Sequence, residues 1–172
     1  MMSDKIMKFT YPVLMGLLLL AALIEMCISA WLISQYNKFH NFSSGGQLVR
    51  TRYILFTSIW TLIFGSLYLV GFLLMPIGYA LTGVVSHLIF LFFTWALWTG
   101  AAAAITQMLG GGLHCSSQDA FVYCGQLNAL EGFAWLIWIV LTILFFLVII
   151  RGITTANHGE GSKGSLIDGF TA

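Results

Sequence analysis

Charge is what this chain most lacks. Of its 172 residues 8% are charged, against roughly 25% in a soluble domain. The net charge of +1 offers no electrostatic case for nucleic acid or an acidic substrate. Proline is as scarce, with two residues. Pro12 falls in the opening turn of the first apolar run and Pro76 in a turn, so no predicted span is interrupted. Transport sites usually sit on interrupted helices, and that feature is missing. There are three cysteines and no Cys-x-x-Cys, which argues against a thiol oxidoreductase. Only His114 and Asp119 lie near Cys115 and Cys124, too few ligands for zinc. No paired acids, Ser/His constellation or metal cluster marks an active site, so neither enzyme chemistry nor a cofactor is expected.

Apolar residues are abundant: 59% of the chain, including fourteen Phe, six Trp and six Tyr, with a mean hydropathy of +0.94. This composition belongs to an integral, multi-pass membrane protein built as one small domain. Four runs exceed or approach the ~20 residues a bilayer core requires. They predict an all-α, antiparallel bundle of four transmembrane helices over about 11–36, 53–74, 79–104 and 129–150. The first run is far longer than the ~7–15 residues of a signal-peptide core and reads as a retained signal anchor. Residues 1–10 form an N-terminal tail. Residues 152–172 hold five Gly and two Ser among alternating charges and read as a flexible C-terminal tail. Asn37 to Arg52 reads as a polar loop, Met75-Pro76-Ile77-Gly78 as a tight turn, and Gly110-Gly111-Gly112 as the stop of the third helix.

Four spans place both termini on one side. Lys5, Lys8, Arg151 and Lys163 there are nearly balanced by Lys38, Arg50 and Arg52 in the first loop, so the positive-inside rule does not decide. Two loop signals do. Cys115 and Cys124, with eight residues between them, suggest a clamped ring, and a disulfide persists only in an oxidising compartment. It would contribute ~2–3 kcal/mol on the loop-entropy account; two separate thiols are the alternative. Asn41-Phe42-Ser43 is a glycosylation sequon on the same side. Both point to cytoplasmic termini in a plasma-membrane or secretory-pathway protein.

Within the spans, Glu25 stands out, because leaving an acid charged in hydrocarbon costs several kcal/mol. A neutral, hydrogen-bonding carboxyl is expected. Depth counting brings Thr61, Thr94 and Thr142 to its level, one hydroxyl per helix, able to bind the bundle together. His87 counts to about 8 Å nearer the cytoplasm at helical rise, a poor match for a Glu25–His87 relay. Glu131 reads as a dipole-complementing residue in the first turn of span four, and Cys27 as a small packing residue. Gly100 and Ala104 make a small-xxx-small surface for close helix approach or self-association, with Ala22, Ser29, Ala30, Gly65 and Ser66 as possible counterparts. Trp31, Trp135 and Trp138 fall towards outer helix ends; Trp60, Trp95 and Trp98 lie deeper and read as packing.

The layout resembles the MARVEL domain, in particular small fungal members related to the non-classical export protein. The resemblance runs over nearly the whole chain. It rests on four short spans, on Arg50-Thr51-Arg52-Tyr53 closing the first outer loop, and on Trp95-Ala96-Leu97-Trp98-Thr99-Gly100-Ala101-Ala102 ending the third helix. The Cys115…Cys124 loop and the helix entry Ala129…Phe133-Ala134-Trp135 complete it. Claudin-like and tetraspanin-like patterns fit worse, since the first loop has no Trp or Cys pair and the second no Cys-Cys-Gly. The resemblance implies a non-enzymatic organiser of sterol- or sphingolipid-rich membrane, acting in membrane apposition, microdomain organisation or vesicle traffic. By position it supports the Cys115–Cys124 pair and supplies no catalytic residue. A self-associating tetraspan is therefore the leading expectation, and a small channel or proton-coupled transporter using Glu25 the alternative.

Overall fold

A chain segment in hydrocarbon has no water to satisfy its backbone, so every N–H and C=O must be paired within the segment. Within the described residues, each of the four apolar runs meets that demand as one uninterrupted α-helix. The computed structural model describes residues 4–74, 83–112, 115–117 and 121–157. These hold α1 (Asp4–Phe39), α2 (Gly45–Leu74), α3 (Val84–Leu109) and α4 (Cys124–Asn157). All four are long and apolar enough to cross a membrane, over Phe9–Phe39, Gly45–Leu74, Val84–Leu109 and Cys124–Thr154. The chain is an all-α four-span bundle.

The helices stand in a ring. α1 packs on α2 and α4, and α3 packs on the same two from the opposite corner. Large side chains fill the centre, among them Tyr11, Met15, Leu18, Leu91, Trp98 and Ile137, all fully buried. Others of the same kind point outward from every helix, such as Leu20, Ile63, Phe93 and Ile143. The inner face of α2 is the exception, carrying buried Gln47, Thr51, Thr57, Ser58 and Thr61. Four of these five place a hydroxyl hydrogen on the carbonyl four residues back: Thr51 to Gln47 at 2.9 Å, Thr57 to Tyr53 at 2.9 Å, Ser58 to Ile54 at 2.8 Å and Thr61 to Thr57 at 2.8 Å. This local pairing lets hydroxyls sit in an apolar bundle without an orphaned donor.

The helices outrun the predicted spans. Hydropathy reports where the chain meets hydrocarbon, whereas helical pairing continues into the headgroup layer. α1 includes much of the expected N-terminal tail, so Pro12 lies inside the helix rather than in its opening turn. The loop expected from Asn37 to Arg52 shrinks to residues 40–44, and Arg50-Thr51-Arg52-Tyr53 belongs to α2. The cause is a capping arrangement at Ser44. Its hydroxyl accepts from the Gln47 N–H at 3.3 Å, while the Gln47 side-chain oxygen accepts from the Ser43 N–H at 2.8 Å. This is close to the Ser-x-x-Gln capping box. α3 starts at Val84, later than expected, and ends at Gly110, whose φ of 72° is left-handed and whose N–H returns to Thr106 at 2.8 Å. α4 begins at Cys124, more than a turn before Ala129. The Met75–Gly78 turn, His114, Asp119 and the tail from residue 158 lie outside the described residues.

Candidate functional site

Five indole N–H groups each meet a threonine hydroxyl on a neighbouring helix, and α3 is the hub. Trp95 donates to Thr142 at 3.0 Å, and Trp138 donates back to Thr99 at 2.9 Å. Both threonines follow their tryptophan by four residues and donate their own hydrogen to its carbonyl at 2.8 Å. The result is a reciprocal Trp-x-x-x-Thr clamp between antiparallel α3 and α4, with ring centroids 6.1 Å apart. On the other flank of α3, Trp60 donates to Thr94 at 3.3 Å and Trp98 to Thr61 at 2.9 Å. Trp135 to Thr106 at 2.9 Å adds a third tie between α3 and α4. Thr61, Thr94 and Thr142 thus bind the helices together, with indoles as their partners. Depth counting picked out these three hydroxyls but put them all at the level of Glu25, whereas the Tyr11–His87 and Tyr36–Tyr123 contacts leave Thr94 and Thr142 about 10–12 Å from that level at helical rise. It could not find the indoles, because pairing depends on azimuth around each helix as well as depth.

Glu25 is fully buried, and neither carboxyl oxygen has a hydrogen-bond partner among the described residues. The expected hydrogen-bonding carboxyl is thus absent. Its nearest hydroxyl on α1, Ser29, donates instead to the main-chain carbonyls of Glu25 at 2.8 Å and Met26 at 3.1 Å.

His87 lies much further from Glu25 than the sequence count suggests. α3 starts late, which puts His87 in its first turn, where Nδ1 sits 2.7 Å from the Tyr11 hydroxyl. Tyr11 precedes Glu25 on α1 by a distance of about 21 Å at helical rise. The Tyr68 ring packs edge-on against His87 with centroids 4.9 Å apart, and its hydroxyl meets Ser86 Oγ at 2.8 Å. This aromatic cluster is a separate layer, and a direct Glu25–His87 relay is ruled out by that spacing. Glu131 is also displaced from its expected role. It lies two turns inside α4 and is nearly buried, whereas dipole complementation fades within the first turn. Cys27 is exposed on the outside of the bundle and does not pack. It borders a shallow groove of about 240 Å³ with Ile28, Trp31 and Gln126.

At the far end from Tyr11 the two connecting loops are tied together. Cys115 and Cys124 form a disulfide with their Cα atoms 5.6 Å apart. Next to it, Tyr123 accepts from the Asn41 side-chain amide at 3.0 Å and packs against Trp31 and Tyr36. Gln47 donates to the Tyr36 hydroxyl at 2.7 Å. The amide nitrogen that a glycan would occupy on Asn41 is engaged in this loop-to-loop tie, so a glycan there would have to displace Tyr123.

The glycines divide unevenly. A side chain added at Gly65 would lie 2.9 Å from Leu19 of α1, the tightest such spacing among the described glycines. Gly100 faces the Tyr53 ring, whose hydroxyl donates to the Leu97 carbonyl at 3.0 Å. Its companion Ala104 is half-buried, so part of the Gly100–Ala104 surface is covered within the chain. Among the described residues no group of three His, Cys, Asp or Glu could hold a metal ion. No known protein family, curated protein or solved structure matches this chain.

Proposed function

We propose that this is a non-enzymatic tetraspan that organises membrane, self-associating and gathering sterol- or sphingolipid-rich lipid in the plasma membrane or secretory pathway. The MARVEL-like layout is part of this reading. So is the orientation, with the sulfur-bridged end outside and both termini in the cytoplasm. The observation that carries it is the outer surface of the bundle. All four helices turn large apolar side chains outward, while most hydroxyl and indole groups of α2 and α3, buried or exposed, are paired within the chain. Such a body is rigid inside and offers lipid-compatible faces to lipids or to further copies. Contiguous apolar surface of this extent marks membrane or protein contact. In-membrane cross-linking of the reconstituted protein should give oligomers whose fraction rises with sterol or sphingolipid content. A monomer indifferent to lipid composition would overturn the proposal.

One observation favours a second reading, a small channel or proton-coupled transporter: the unpaired Glu25. Buried intramembrane acids mark ion pathways. Liposome flux abolished by Glu25→Gln would put this reading first; equal background leak in both proteins would remove it.

A further inference from the structure

Contacts several turns to either side of Glu25 fix which residues share its level. Tyr36 of α1 is hydrogen-bonded to Gln47 of α2. Three turns along, about eleven residues at 3.6 per turn, the same faces carry Glu25 on α1 and Ser58 on α2. The Gly65–Leu19 approach lies further along the same antiparallel seam, so the register holds on both sides of this pair. An equal step from the Tyr36–Tyr123 contact puts buried Ala134 of α4 at the same level. Four turns from the Tyr11–His87 bond bring buried Ala101 of α3 there too. The level of Glu25 therefore holds one buried hydroxyl residue and two buried alanines, with Thr57 and Thr61 flanking Ser58.

The hydrogen inventory of this layer is one-sided. Ser58, Thr57, Thr61 and Ser29 have each committed their hydroxyl hydrogen to a backbone carbonyl. Their oxygens retain acceptor lone pairs, and the carboxylate is itself an acceptor. The indole N–H groups near this layer are also taken, Trp98 by Thr61, Trp138 by Thr99 and Trp60 by Thr94. Among the described residues of α1, α2 and α3, the other titratable side chain at this level is Cys27, exposed on the outside of the bundle. On α4 the nearest is Glu131, about one turn towards the disulfide end, and it is also an acid. A buried cluster of acceptors around one negative charge requires a positively charged guest. A divalent ion would leave a net charge in hydrocarbon, which is costly.

We propose that Glu25 and Ser58, with Thr57 and Thr61 beside them, form a binding site for a single monovalent cation, either a proton or an alkali metal ion. The site does not depend on the organiser reading, because a cation can be held and exchanged without being carried across.

Dicyclohexylcarbodiimide, which enters lipid and adds to protonated carboxyls to leave an N-acylurea, is the probe. The full-length protein in lipid nanodiscs is treated in choline buffer across a pH series, then with sodium, lithium or potassium replacing choline at one pH. Peptide mapping reads modification at Glu25 separately from Glu131. Modification of Glu25 in choline that falls about tenfold per pH unit above its half-point, with no alkali effect, identifies the proton as guest. Protection by one of the alkali ions at fixed pH identifies that ion. In either case Ser58→Ala should shift the half-point or the protecting concentration about three- to tenfold, the worth of one hydrogen bond. Glu25 unmodified in choline at every pH, or modified identically across all conditions, overturns the proposal on the wild-type protein alone. So does a folded Ser58→Ala protein with an unchanged profile.

Discussion

At Thr142 one hydroxyl serves two purposes: it accepts the indole of Trp95 on α3 and donates to the carbonyl of Trp138 on its own helix. Thr99 does the same in reverse. In water such bonds would compete with solvent. In hydrocarbon the competitor is an unsatisfied N–H, although measured interhelical bonds still average only about 0.6 kcal/mol. Trp95→Phe and Thr142→Val should each destabilise the bundle by about 1 kcal/mol. Their double-mutant cycle should return a coupling near ~0.6 kcal/mol, read from unfolding in mixed micelles. Strict additivity of the two changes would mean the indole–hydroxyl pair contributes nothing. The same residue-level view changes what Asn41 means. Its amide is spent on Tyr123, so the sequon adds no weight to the assignment of sidedness.

Between helices, α1 and α2 meet closely where Gly65 admits Leu19. An alanine at Gly65 would press on the tip of a flexible leucine, which can rotate away. A leucine there would force the helices apart. Gly65→Leu should therefore cost about 1–3 kcal/mol, while Gly132→Leu, on an exposed face with nothing near its missing Cβ, should stay within about 0.5 kcal/mol. Thermal unfolding of the two proteins in one detergent makes the comparison, and equal losses would contradict the packing described. The number and order of helices were legible from hydropathy alone, since four long apolar runs leave little choice. Their ends were not. Ser44-Gly45-Gly46-Gln47 reads as a loop by composition, and its capping pattern shows only when Ser and Gln are taken together at their spacing. Similarly, Glu25 was legible as an anomaly and Thr61, Thr94 and Thr142 as intramembrane hydroxyls, but of the three only Thr61 lies near the level of Glu25. The side chains facing them were not legible, because a linear count carries no angle. The late start of α3, which moves His87 away from Glu25, lies beside a segment whose hydropathy continues without a break.

For the molecule as a whole, the two ends of the bundle have different characters. One carries the Tyr11–His87–Tyr68 layer together with both described chain ends. The other is held by the disulfide, the Asn41–Tyr123 bond and the Tyr36–Gln47 bond. Between them runs a surface suited to lipid. The central claim is that this body crosses a membrane with its sulfur-bridged end in an oxidising exterior. The direct measurement is labelling of intact cells by a membrane-impermeant maleimide, before and after an impermeant reductant, in a Cys27→Ala background so that Cys115 and Cys124 are the only thiols. The account predicts no labelling before reduction and labelling of both cysteines after it. Labelling that appears only once the cells are permeabilised would place that end inside and contradict it.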